Sequence, residues 1–145
     1  MKKISIKEYE VQIALGTLDD DSRAHLASNK RTSKGILALL AFDAEIWVRE
    51  YVASNPNTST ATFLVLAQDS SVFVRRAVAK NPAVKSEVLA HLVKDKDKHV
   101  RMWVACNFNT LTKYLKILKD DKDSSVRAYA NLNIRTKLKK KGIKI

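Results

Sequence analysis

The sequence predicts an all-α fold, an α-solenoid of about five two-helix repeats in a right-handed superhelical stack, on three observations. The first is an internal period. Arg23, Arg49, Arg75, Arg101 and Arg127 are each 26 residues apart, and so are Asn29, Asn55, Asn81, Asn107 and Asn133. A recurrence at this length without an insertion is the mark of stacked supersecondary units. The second is local periodicity. Val74-Arg75-Arg76-Ala77-Val78-Ala79 places apolar residues at i, i+3 and i+4, one face of a helix, and no segment shows the alternation of a half-buried strand. The third is composition: 46% hydrophobic residues supply a core, and three Gly and two Pro in 145 residues are too few for a linker-rich chain.

Each unit reads as two short helices. The first carries paired core residues, Leu37 and Leu40, Phe63 and Leu66, Leu89 and Leu92, or Leu115 and Leu118. Thr32, Thr58 or Thr110, three residues after the asparagine, is the expected N-cap of that helix, with Val84 breaking the column and Glu87 still giving a negative first turn. The second helix begins near Val48, Val74, Val100 or Val126 and ends at the asparagine. That residue is expected to adopt the left-handed terminal conformation, twice followed by a proline that cannot continue the helix. A single unit of this size cannot bury its apolar face, so neighbours must share one. Residues 1–20 contain part of a unit, with Tyr9, Val11, Ile13 and Leu15 as its apolar contacts, and read as an N-terminal cap. Residues 21–133 are the repeats. Residues 134–145 read as a basic C-terminal cap or tail, all within one domain.

The string Asp69-x-x-x-x-Val74-Arg75-x-x-Val78-Ala79-x-Asn81-Pro82 resembles the short HEAT-like repeats. It resembles the leucine-rich-repeat variant more closely, through its Val-Ala-x-Asn-Pro ending and the Leu-x-x-Leu that follows. The resemblance covers residues 17–136 and implies a structural ladder between neighbouring units. Carried over, its pairs are Asp43/Arg49, Asp69/Arg75, Asp95/Arg101 and Asp121/Arg127. The first unit departs, with Thr17 at the aspartate position and Ser22 at the valine position, leaving Asp19, Asp20 or Asp21 to partner Arg23. Some leucine-rich-repeat variant proteins carry a cysteine-ligated iron–sulfur cluster, whose cysteines this chain lacks. HEAT-like repeats also build longer alkylpurine DNA glycosylases, whose pocket has no residue-by-residue match here.

Outward positions of the second helices define the candidate site. Trp47, Glu50 and Ser54 share one helix face. So do Phe73, Arg76 and Lys80, then His99, Met102 and Cys106, then Ser125, Ala128 and Leu132. A face mixing Trp, Phe, Met, His and Arg has the composition of an interface core rather than of a solvated surface. It is expected to bind a protein or peptide partner. Tyr51, Trp103 and Tyr129, two residues after the arginines, read as inward core aromatics.

Charge supplies the alternative. Twenty-seven Lys and Arg against fifteen Asp and Glu leave a formal net charge of +12. Residues 1–72 hold eight basic and nine acidic residues, and residues 73–145 hold nineteen and six, so the excess lies in the second half. Lys113, Lys116 and Lys119 fall on one helix, and Arg135, Lys137, Lys139, Lys140 and Lys141 follow in the tail. Such a polybasic end reads either as a solvated cap or as a sequence-independent phosphate-binding surface for nucleic acid.

No metal or cofactor is expected. Three histidines have no ligand spacing, and the one cysteine, Cys106, excludes a disulfide framework or a four-thiolate site. No nucleophile–base signature or glycine-rich phosphate loop is present, so the expected activity is non-enzymatic. The N-terminus lacks the apolar region of a signal peptide, and the longest uncharged apolar stretch, Gly35 to Phe42, is too short to span a bilayer. A cytoplasmic location without a membrane partner is the resulting expectation.

Overall fold

The computed structural model describes residues 4–143, which form ten α-helices and, among the described residues, no strand. These are α1 (Ile6–Ala14), α2 (Asp20–Ser28), α3 (Lys34–Leu40), α4 (Ile46–Ser54), α5 (Thr60–Leu66), α6 (Val72–Lys80), α7 (Ser86–Leu92), α8 (Lys98–Cys106), α9 (Thr112–Leu118) and α10 (Ser124–Lys140). From α2 onward each helix begins 26 residues before its next counterpart. Helix α1 ends at Ala14, 26 residues before the end of α3, so it occupies the register of the shorter, odd-numbered helices. No described helix is long and apolar enough to cross a membrane.

The even-numbered helices pack directly on one another in chain order, α2 on α4, α4 on α6, α6 on α8 and α8 on α10, and α3, α5, α7 and α9 each lie on the even helix that follows. Ala27, Ala53, Ala79 and Ala105 are fully buried along the even helices, and a methyl side chain there lets neighbouring backbones approach. The core is continuous through Val48, Val52, Val74, Val78, Val100 and Val104, with the leucines and Phe63 of the odd helices against them.

The asparagines end their helices by another route than the one expected. Asn29, Asn55, Asn81 and Asn107 are C-caps with φ between −75° and −67° and ψ between 117° and 126°, extended rather than left-handed. Positive φ occurs among the described residues only at Gly16 and Gly142. What holds each cap is the side chain. Asn55 Nδ2 donates to the carbonyls of Ala27 (2.7 Å) and Asn29 (3.0 Å), while its Oδ1 accepts from Asn57 N at 2.9 Å. Asn81 and Asn107 repeat the pattern one and two periods on. One buried amide therefore satisfies terminal carbonyls of the preceding helix and the turn of its own.

The threonines are also displaced from their expected role. Thr32, Thr58 and Thr110 lie one residue before the N-caps, which are Ser33, Ser59 and Leu111. Their hydroxyls donate back to the carbonyls of Leu26, Val52 and Val104 at 2.6–2.7 Å. Those carbonyls sit in the last turn of the preceding helix, where no amide four residues on bonds back, so the buried hydroxyl supplies a donor.

Candidate interaction surface

The arginine column is built into the turn that precedes each even helix. Arg75 Nε donates to Asp95 Oδ2 at 2.7 Å and Nη2 to Asp95 Oδ1 at 3.1 Å, while Nη1 donates to the carbonyls of Asp69 (2.8 Å) and Ser70 (3.0 Å). Arg49 with Asp69 and Arg101 with Asp121 repeat this arrangement. The pairings inferred from the resemblance, Asp43/Arg49, Asp69/Arg75, Asp95/Arg101 and Asp121/Arg127, are therefore corrected. Arg49, Arg75 and Arg101 bind the carboxylate twenty residues downstream, in the next unit, and only the backbone carbonyl of the aspartate six residues upstream, while Arg127 meets Asp121 through its backbone carbonyl alone. The reason is local. Each aspartate folds over its own turn, Oδ1 of Asp43, Asp69, Asp95 and Asp121 accepting from the N–H two residues on at 2.8–3.0 Å, which directs the carboxylate towards the preceding unit. Arg23 pairs with Asp43 at 2.6 Å and, of the three local candidates, with Asp20 at 2.7 Å.

The Arg75 and Asp95 side chains are each 7% exposed, so the fork-to-fork pair operates largely away from water, where both partners depend on it. The hydrogen bond to Asp95 raises Arg75 above the usual arginine value, against the opposing effect of burial. Its bond from Arg101 holds Asp121 below the usual carboxylate range.

The outward face of the even helices is rich in rings and cations. Trp47 is 36%, Tyr51 45% and Phe73 55% exposed. Trp47 and Tyr51 meet edge to face, centroids 6.5 Å apart, and Trp47 Nε1 donates to Glu45 at 3.0 Å. Arg76 lies 5.8 Å from the Phe73 centroid and 3.9 Å from Asp97, and Lys80 lies 5.2 Å from the centroid of Trp103. His99 Nδ1 is 3.7 Å from the same Asp97. Glu50 is half-buried, Met102 is half-buried and packs against the core, and Cys106 is half-buried, its thiol pushed up by burial.

Reading Tyr51 and Tyr129 as inward is thus corrected, since both are exposed, whereas Trp103 is half-buried and packs against the core. At 3.6 residues per turn the buried stripe of α4 runs through Val48, Val52 and Ala53, and Tyr51 falls beyond its edge beside Trp47. The signal was present in the i, i+4 spacing of Trp47 and Tyr51. Asp97, shared by Arg76 and His99, had no such signal, because it reaches Arg76 only across two units. At the α2 end, Asp19, Asp20, Asp21 and Trp47 line a shallow cleft.

The basic residues named from the sequence fall on two elements, α9 with its C-cap and the extension of α10. Lys113 lies 4.9 Å from the Tyr114 centroid, Lys119 lies 4.0 Å from Asp120, and Lys116 is exposed on α9. On the extension of α10, Lys137 Nζ donates to the Phe108 carbonyl at 2.7 Å and Lys140 lies 5.7 Å from the Phe108 centroid, while Arg135, Lys139 and Lys141 are exposed. Burial and the neighbouring Lys140 and Lys141 keep the Lys137 ammonium below its ordinary pKa. Among the described residues no group of three or more His, Cys, Asp or Glu side chains is placed to hold a metal ion. Comparison of the chain with protein-family models, with curated proteins and with solved structures returns no match.

Proposed function

We propose that the chain is a HEAT-like α-solenoid of five two-helix units in a right-handed superhelical stack, a non-enzymatic module that binds a protein or peptide partner on the face of its even helices. The ordered contacts of α2, α4, α6, α8 and α10 support the stack. Buried alanines between the even helices, with the odd helices touching one another less, support reading the even side as the inner, concave one. One observation carries the function: exposed Trp47, Tyr51 and Phe73 share consecutive helices with Arg76 and Lys80, each cation held over a ring. Large rigid rings and arginine are the side chains on which interface affinity concentrates. The acidic cleft beside Trp47 adds polarity, favouring a partner whose basic side chain lies at the α2 end.

The test is capture from host extract, with and without nuclease, comparing the wild-type chain with the Trp47→Ala/Phe73→Ala double variant. Nuclease-insensitive protein retained by the wild type, and bound about 30-fold or more weakly by the variant, is the expected result. Equal capture by both proteins would reject the face. Phe73 is mostly exposed and Trp47 about one-third exposed, so the variant should keep the helical circular dichroism of the wild type while melting at a lower temperature.

A second reading, sequence-independent binding of nucleic acid, draws on the like-charge cluster of Lys137, Lys140 and Lys141, whose mutual repulsion a phosphate would relieve. If about six phosphates are neutralised, log K against log salt should fall with a slope near −5. Salt-insensitive binding would exclude it.

A further inference from the structure

Two of the rings on the even-helix face carry cations of this chain, and two others meet carboxylates instead. On α6, Arg76 lies 5.8 Å from the centroid of Phe73, and Lys80 reaches forward to Trp103 on α8 at 5.2 Å. In the repeat, Trp47 holds the position of Phe73 one period earlier, and Tyr51 holds that of Trp103 two periods earlier. The cations do not recur with the rings. Glu50 stands where Arg76 stands, three residues after its ring, and Ser28 on α2 precedes Tyr51 by the same interval as Lys80 precedes Trp103. Among the described residues no cation is held over Trp47 or Tyr51.

The geometry around these two rings suits a cation from outside. Their planes cross at 83° with centroids 6.5 Å apart, and both are exposed, so they present a corner with two aromatic walls. The negative face of an aromatic ring attracts a cation placed over it. Glu45 accepts the Trp47 Nε1–H at 3.0 Å, which fixes the indole and sets a negative charge at its edge. Glu50 shares the helix face of both rings. From α2, which packs directly on α4, Asp21 lines the cleft beside Trp47 together with Asp19 and Asp20. Asp19 is occupied by the Ser22 N–H and Asp20 by Arg23. Asp21, Glu45 and Glu50 have no ion-pair partner among the described residues. An incoming anion would meet only carboxylates here, and a neutral apolar group would leave their charge uncompensated.

We propose that Trp47 and Tyr51 form a recognition corner for a cationic side chain of the partner, with lysine preferred to arginine and with Glu50 and Asp21 as counter-charges. The proposal rests on the even-helix face being the binding face and names what that face recognises. A compact ammonium can touch both perpendicular walls at once, whereas a planar guanidinium stacks on one of them.

The test observes the indole Nε1–Hε1 signal of Trp47 by NMR in the full chain, with that of Trp103 as internal reference and Trp103→Phe to assign the two. The probes are Nα-acetyl-lysine methylamide, its arginine counterpart and the neutral norleucine counterpart, at constant ionic strength. The lysine probe should move the Trp47 signal with an apparent affinity at least about fivefold above that of norleucine, leaving Trp103 in place. Tyr51→Leu and the Asp21→Asn/Glu50→Gln double variant should each weaken that response about threefold or more. Equal responses to lysine and norleucine, tighter binding of arginine, an equal shift at Trp103, or an undiminished response in Tyr51→Leu would each overturn the assignment. Capture from host extract separates this reading from the one it rests on. Loss of capture in Trp47→Ala/Phe73→Ala but not in Asp21→Asn/Glu50→Gln would keep the face and remove the cationic corner. Undiminished capture in both would remove the face, while the response of Trp47 to the lysine probe still decides the corner.

Discussion

Arg75 illustrates how one side chain joins two units: three of its nitrogens reach two carbonyls of its own turn and both oxygens of the next unit's aspartate. Removing it strands a buried carboxylate. Arg75→Ala should therefore destabilise the protein by ~3–5 kcal/mol, the range for breaking a buried pair from one side. Arg127→Ala leaves no carboxylate behind and should cost only about 1 kcal/mol, the net worth of its backbone hydrogen bonds. Denaturant midpoints of the two variants test the difference, and equal losses would remove the ladder as the source.

At the scale of the element, α4, α6 and α8 are each stopped by an amide that also reaches the even helix before it. Asn55→Ala would leave the Ala27 and Asn29 carbonyls and the Asn57 N–H without that partner, at a cost of about 2–3 kcal/mol. Asn133→Ala removes the same two donations but also deletes an acceptor that is already buried and unpaired. It should cost less than Asn55→Ala in the same urea titration. A larger loss at Asn133 would mean that its Oδ1 is satisfied by water. The continuation of α10 has a visible consequence: it moves basic side chains onto the Phe108 turn, where Lys137 donates to the carbonyl and Lys140 faces the ring.

At the scale of the whole molecule the ladder links folding to pH. Asp69 and Asp121 are held below the usual carboxylate range; for Asp69 burial opposes, and the bonds from Arg49 and the Ser71 N–H outweigh it. A carboxylate whose folded pKa is depressed contributes stability that is present above its unfolded value, about 3.9, and is lost as pH falls through the folded value. The bonds to Asp69 and Asp121 raise Arg49 and Arg101 above the already high arginine value, so the arginines contribute undiminished at neutral pH. Thermal midpoints attributable to the ladder should therefore hold from neutrality to about pH 5 and fall steeply below about pH 4. A decline centred near pH 6.5 would instead point to histidine.

The sequence by itself determined the helical content, the 26-residue spacing of the helices and the residues of the shared core, because recurrence of Arg, Asn and Leu reports positions along a helix and those positions repeat without an insertion. The outward places of Trp47 and Phe73 followed from the same spacing. Only the tertiary structure decided which aspartate each arginine binds, that the threonines turn back to the preceding helix, and that Tyr51 lies outside the buried stripe. Helical periodicity assigns an angle around an axis and does not say what covers that angle. The cover comes from a neighbour one period away, and whether a group meets its own turn or the next unit is settled when the two pack. Arg127 carries the same sequence signature as Arg75, yet only Arg75 meets a carboxylate among the described residues.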